Sequence, residues 1–282
     1  MVKPNFRQLV IDNPHISKVY AYAESESLSK ELKSENYSAI VDLQKNRKSI
    51  SLRKKLKTTV YSFNKLNIKK WLLVQTGINL LPEKKHIVHR YFDGICHLQI
   101  KDDLRGCEFY VNDSVRITGF DLPNDYIILA AGAAHEGKRL FQSQIEDLVK
   151  LSSLPIVLLG DSQDKERLQS LDQNSRLINL CGRTTIQQLG LVIKESSGVI
   201  SGDTGIMHIA SCFEIPQVSI WGCTRPVLGM WPYLKKNQKI ITADSKRPCS
   251  KLGDKCKSHP ELCIKKHSAQ NIMNALSLLS KE

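Results

Sequence analysis

The sequence predicts an α/β protein of two domains, each built on a parallel sheet with crossover helices. Three observations predict this class. Short apolar, β-prone runs alternate with segments whose apolar residues recur at helical spacing, which is the pattern of βαβ units. The chain has 282 residues, enough for two domains with cores of their own. Residues 199–222, VISGDTGIMHIASCFEIPQVSIWG, read as strand, tight turn, helix and strand. In a parallel sheet that unit puts its turn at the carboxyl ends of the strands, where ligands bind.

The elements follow in order. Residues 6–11 predict a short helix, 18–22 a strand and 27–34 a helix. Residues 37–43, YSAIVDL, predict a buried strand, and residues 45–56, KNRKSISLRKKL, a very basic helix. Residues 58–63 predict a strand, and 68–76 and 86–100 helices. Around residues 112–125 the pattern loosens at Gly119, Pro123 and Asn124, so the boundary is expected there. The domains are then 1–122 and 123–282. In the second, residues 126–130 predict a strand and 131–138 a loop opening a helix near Phe141. Strands are predicted at 155–160, 177–180, 199–201, 217–221 and 239–242. Helices are predicted at 165–171, 185–194, 206–212 and 268–279, each from apolar spacing.

Composition narrows the function class. Hydrophobic residues make up 41% and charged residues 24%, ordinary for a water-soluble fold. No apolar run approaches the roughly 20 residues needed to span a bilayer. The start, MVKPNFRQLVIDNPHI, lacks an apolar signal core, so a cytoplasmic protein is expected. The net charge of +13 is spread along the chain. It suits anionic lipid, phosphorylated ligands or nucleic acid. Nucleic acid is the weakest of these, because aromatics are only 6% and no nucleic-acid motif is present.

Of eight cysteines, Cys96, Cys107, Cys181, Cys212 and Cys223 stand in apolar segments and read as small core residues. Cys249, Cys256 and Cys263 are evenly spaced in a polar stretch, KRPCSKLGDKCKSHPELC. They read either as reduced surface thiols or as a metal set with His259 or His267 as fourth ligand. No CxxC pair supports the second reading.

The 199–222 stretch has the physics of an anion site. A helix beginning near Thr204 turns its free N–H groups and positive dipole end toward the crevice. Gly202 and Gly205 let an anion approach the backbone, and Asp203 is placed to cap the helix. His208 lies one turn beyond Thr204 on the same face and is able to charge near neutral pH. The stretch matches neither the Rossmann nor the P-loop fingerprint.

Four blocks of the second domain resemble a known family. They are Ala130, Ala131, Gly132 and Ala133 through Lys138 and Arg139, and residues 158–160. The third is Cys181, Gly182, Arg183, Thr184 and Thr185 with Gln188 and Leu189. The fourth, and most specific, is Asp203, Thr204, Gly205, Ile206, Met207 and His208, followed by Trp221 and Gly222. Together they resemble glycosyltransferase family 9, the ADP-heptose:lipopolysaccharide heptosyltransferases. KPNF, YSAIVDLQKN and SFNKLNIKKW in the first domain resemble it more weakly. The cysteine-bearing stretch is similar to one seen in some members.

The resemblance implies a GT-B fold, with two Rossmann-like domains facing a cleft. It implies an inverting transfer of heptose from an ADP-sugar to a lipid-linked core saccharide, without metal or other cofactor, at the inner face of the inner membrane. Lys138 then matches the donor-phosphate lysine, with Arg139 assisting. Asp203, Thr204, Gly205 and His208 fall on the donor side, and Asp161 or Asp164 near the ribose or base. The family's general base is an aspartate in an S-x-G-D loop of the first strand–loop–helix, and no such loop stands near Met1. Asp12 and Asp42 stand in other contexts, so the N-terminal domain is expected to lack that unit. The alternative reading is an impaired homologue that only binds nucleotide-sugar. For the basic helix at 45–56, contact with anionic lipid or phosphorylated saccharide stands beside a solvated face.

Overall fold

The structure, a computed structural model, describes residues 1–23, 26–233, 236–243, 247–254 and 260–279. Its chain divides into two compact units: Met1–Asn67 with Pro82–Arg105, and Ile68–Leu81 with Gly106–Glu282. The sequence placed its boundary at 122/123.

The first unit opens on a 3-10 turn, Pro4–Leu9, where a helix was expected. The strand expected at 18–22 is reduced to an isolated bridge between Val2 and Ala21. Helix α1 (Glu26–Ser34) leads to β1 (Ala39–Asp42), α2 (Arg47–Leu56) and β2 (Thr59–Ser62). β1 and β2 pair in parallel, Ala39 opposite Thr59 and Asp42 opposite Ser62. Asn46 caps α2, its side chain accepting from the Ser49 amide at 3.0 Å. The expectation of a buried β1 fails: its only buried residue is Asp42, and Val41 stays 43% exposed. Among the described residues β1 has one strand neighbour, β2, and the two-stranded sheet leaves side chains of both strands exposed. Helix α3 (Asn67–Thr76) follows at the unit boundary. The long helix expected over 86–100 is α4 (Ile87–Asp93) and a 3-10 turn at Cys96–Leu98.

The second unit carries a six-stranded parallel sheet. In chain order its elements are β3 (Ile127–Ala130), α5 (Gln142–Leu151), β4 (Ile156–Leu159), α6 (Ser162–Arg167), β5 (Leu177–Asn179) and α7 (Ile186–Lys194). Then come β6 (Gly198–Gly202), α8 (Gly205–Ala210), β7 (Gln217–Trp221), β8 (Gln238–Thr242), α9 (Pro260–Lys265) and α10 (Ala269–Leu279). The strands lie in the order β5-β4-β3-β6-β7-β8. After β5 the chain returns across the sheet to β6, which pairs with β3. That reversal is the switch point of a doubly wound sheet, and ligands bind outside the carboxyl ends of the strands there.

Continuous apolar runs build this sheet because both faces are covered. Every residue of β3, β4 and β7 is buried. One face packs Leu129, Leu158, Ile200 and Val218 against α5 and α10, through Ile145, Leu148 and Ile272. The other packs Ile128, Val157 and Val199 against α7 and α8, through Val192 and Ala210. The polar stretch expected after residue 249 contains α9, which the sequence reading missed. Its six residues carry too few periodic positions to register.

Candidate functional site

The site is built at the switch point. β3 ends at Ala130, and the chain runs through Gly132 to a 3-10 turn, Glu136–Lys138. β6, beside β3, ends at Gly202 and passes through Asp203 and Thr204 into α8. The two strand ends place Lys138 Nζ 2.7 Å from Asp203 Oδ2. The pair is mostly buried, with 15% and 11% of the two side chains exposed.

Asp203 was expected to cap α8. The N-cap is Thr204, and no side chain caps it. The Asp203 carboxylate instead accepts from Lys138 and from the buried Thr224 hydroxyl at 2.9 Å. A charged amine competes for the carboxylate better than a backbone amide does. The Thr204 hydroxyl lies 2.9 Å from Ser201 Oγ, whose side chain also donates to the Gly202 carbonyl.

The two glycines differ. A Cβ on Gly202 would stand 2.7 Å from the Lys138 carbonyl oxygen. The close approach at Gly202 is therefore made by the Lys138 backbone, not left open for an anion. A Cβ on Gly205 would meet nothing within 4 Å, and Gly205 is exposed. Open space for a ligand lies over Gly205.

His208, on α8, is half-buried. Burial lowers its pKa, Asp203 raises it less, and Lys138 lowers it further. Losing water penalises the cation, so burial favours the neutral ring.

Arg139 does not extend beside Lys138. Its Nε donates to the Ala133 carbonyl at 2.7 Å and so closes the loop on itself. Asp161 caps α6, accepting from the Gln163 and Asp164 amides. Asp164 is 2% exposed. It accepts from the Asp161 amide at 3.1 Å and from Arg167 at 3.2 Å. A Cβ on Gly132 would fall 1.6 Å from its Oδ2, so its carboxylate props the loop after β3. Arg167 completes this brace by donating to the Ala131 carbonyl at 2.7 Å. Lys138, Asp203, Thr204, Gly205 and His208 are thus brought together, while Asp164 supports their loop.

Thr224 and Ser201 escaped the sequence reading. The signal for Thr224 was present, since it follows the Trp221–Gly222 strand end. It needed the strand order, which sets β7 next to β6. In the first unit, Asp42 accepts from the amides of Gln44 and Lys45, from Ser49 Oγ and from Arg53. It anchors the start of α2 and is not poised as a base. Also there, Ser62, Asn64, Leu66, Lys85, Arg90 and Asp93 line an open depression. Among the described residues, no helix is long and apolar enough to cross a membrane.

Cys96 is exposed, and Cys107 and Cys212 are half-buried, so only Cys181 of this group sits in the main sheet core. Burial pushes the Cys181 and Cys212 thiols up to about 12, which leaves them unreactive. Cys223 is a buried core residue, as expected, and it stands with Cys249 and Cys263. Cys256 and His259 lie outside the described residues. His267 is buried, its Nε2 3.2 Å from the Trp221 carbonyl oxygen.

Comparisons with known proteins agree on one family. The model of glycosyltransferase family 9 (heptosyltransferase) matches residues 25–260. The lipopolysaccharide heptosyltransferase 1 of Escherichia coli K12 is 22% identical over 78% of this chain and 71% of its own. The lipooligosaccharide heptosyltransferase 2 of Campylobacter jejuni is 30% identical over 39% of this chain. The lipopolysaccharide heptosyltransferase 2 of Salmonella typhimurium is 25% identical over 45%. These last two matches span only 34% and 38% of the relatives' own lengths. Among solved structures, an E. coli ADP-heptose heptosyltransferase II has a TM-score of 0.71 at 17% identity, covering 99% of this chain and 88% of that one. A family 9 protein from Veillonella parvula has a TM-score of 0.77 at 17% identity, over 99% and 87%. The fold is thus the α/β, GT-B-like fold of those structures.

Proposed function

Because the chain belongs to glycosyltransferase family 9, we propose that it binds a nucleotide-sugar at the switch point of its six-stranded sheet. We further propose that it transfers the sugar, heptose by family default, to a lipid-linked saccharide of lipopolysaccharide. The observation that carries this reading is the buried pair of Lys138 and Asp203 at the ends of β6 and the loop after β3. An inverting transfer builds charge on a leaving diphosphate, and a fixed cation stabilises it most as that charge develops. Lys138 takes this role, sharing itself between Asp203 and the diphosphate. Asp203 and Thr224 fix the ammonium before the donor arrives. A neutral His208 beside the pair accepts a proton or donates a hydrogen bond as the phosphates enter. One E. coli heptosyltransferase of similar fold was solved with ADP, which favours an adenine nucleotide here.

The acceptor side rests on family membership and on the exposed basic helix α2. Its cations suit an anionic membrane surface, worth about 1 kcal/mol each near such lipids. A second reading is favoured by Asp42. That carboxylate is spent on four donors, and no other aspartate is assigned to take the acceptor proton. Lacking a general base costs roughly a hundred- to ten-thousand-fold in rate. The chain on this reading binds nucleotide-sugar with little turnover.

Calorimetric titration with ADP-heptose and ADP tests the donor site. Wild type binds, and Lys138→Ala weakens binding by about tenfold or more, the value of one charge-assisted contact. A wild type that binds neither ligand defeats both readings. Binding with transfer to a lipid-linked acceptor selects the first, and binding without it the second.

A further inference from the structure

We propose that Cys223, Cys249 and Cys263 form a structural site for a thiophilic divalent cation, zinc by preference, that fastens the C-terminal segments behind Lys138. The three sulfurs converge from separate parts of the chain. Cys223 lies just beyond β7, Cys249 in the loop 247–254, and Cys263 on α9. All three Sγ atoms lie within 4.8 Å of one another, and all three residues are buried. Thiolates on 2.3 Å bonds around a tetrahedral zinc stand roughly 3.8 Å apart. Small side-chain rotations therefore close the set on one ion.

Two other accounts of the cluster fit less well. A disulfide draws two sulfurs to about 2.05 Å and does not account for the convergence of the third. Simple packing is weak, because among the described residues the cluster contains these thiols and Ala243, apart from the sheet cores. The backbone already supports convergence: the Cys249 amide donates to the Cys223 carbonyl at 2.9 Å. A zinc bound by Cys thiolates completes four ligands with one further donor.

The position gives the ion a purpose. A Cβ on Gly137 would lie 2.6 Å from Cys223 Sγ, so the turn carrying Lys138 rests directly on that sulfur. A Cβ on Gly253, four residues after Cys249, would meet the Lys138 stem at 2.8 Å. α9 packs on the same turn, and Gln144 of α5 donates to the Ile264 and His267 carbonyls at 2.9 and 3.1 Å. The cation would lock three segments that back and cover the lysine. It stands behind the site and takes no part in the transfer, and the inference holds whether or not a sugar is transferred.

Elemental mass spectrometry on the full chain, expressed with zinc and purified without chelator, is expected to find about one zinc per chain. Cys249→Ser and Cys263→Ser are each expected to lower this about tenfold or more, as loss of a ligand does. Growth with cobalt in place of zinc gives a wild-type readout that no variant's folding affects: thiolate-to-cobalt charge-transfer absorption in the near ultraviolet. A zinc-free chain without that absorption overturns the proposal and leaves the thiols as packing. An intact mass lower by two hydrogens, from a disulfide within the trio, overturns it as well. So does full zinc content in both serine variants.

Discussion

β1 and β3 are both four-residue strands of parallel sheets, yet their surroundings differ sharply. β3 lies between β4 and β6, and each of its side chains is buried. Among the described residues β1 pairs with β2 alone, and Val41 and Val60 on these strands remain 43% and 36% exposed. A parallel sheet is stable when helices cover both faces. The second unit achieves this with six strands and four packed helices, and the two strands of the first unit do not. The residues proposed to bind the donor accordingly stand on a sheet covered on both faces, while β1 and β2 keep exposed valines.

Truncations to alanine in the two sheets test this contrast most strongly. Leu158→Ala, in a fully buried position of β4, is expected to cost about 2–5 kcal/mol. Val41→Ala in β1 is expected to stay within about 0.5 kcal/mol, as exposed substitutions do. Urea unfolding of both variants measures the difference, and similar costs would break the comparison.

A smaller effect separates the two glycines of the switch point. Gly202→Ala places a methyl 2.7 Å from the Lys138 backbone oxygen. Overpacking of that kind costs about 1–3 kcal/mol, and it displaces the lysine, so nucleotide affinity is expected to fall with stability. Gly205→Ala meets no protein atom, so stability is expected to stay unchanged while affinity falls. Thermal melts paired with calorimetric titration read the two outcomes apart.

The smallest effect concerns pH. Burial holds the pKa of His208 below the ordinary 6.5 in the folded chain. Between that lowered value and about 6.5, the unfolded chain binds the extra proton. Stability therefore rises with pH through this window and falls on acidification, by at most about 1.4 kcal/mol per pH unit. Above about pH 6.5 both states are neutral and the dependence vanishes. Urea midpoints of wild type and His208→Gln across about pH 5–8 should converge in slope only above that window.

Much of the second unit was legible in the sequence. The apolar runs at 127–130 and 156–159 are buried on both faces, so hydrophobicity and structure coincide. The blocks around Lys138 and Asp203 were legible for a related reason, because they sit where strands end. The first unit was less legible. YSAIVDL has the pattern of a buried strand, but burial depends on neighbours that a local pattern does not contain. α9 hid within a charged stretch, and Thr224, though it follows the Trp221–Gly222 strand end, needed the strand order to be placed beside Asp203.

By itself the sequence determined the α/β class, the location of nearly every element after residue 126, and the family. These depend on local periodicity and on short motifs, which act over a few residues. Tertiary structure alone decided that Asp203 holds Lys138 rather than capping α8. It alone decided that the space beside Gly202 is filled by a backbone carbonyl, and that Cys223 stands with Cys249 and Cys263. Each of these depends on groups far apart in the chain meeting within a few ångströms. The order in which parallel strands are laid side by side sets such meetings, and no stretch of the sequence states that order.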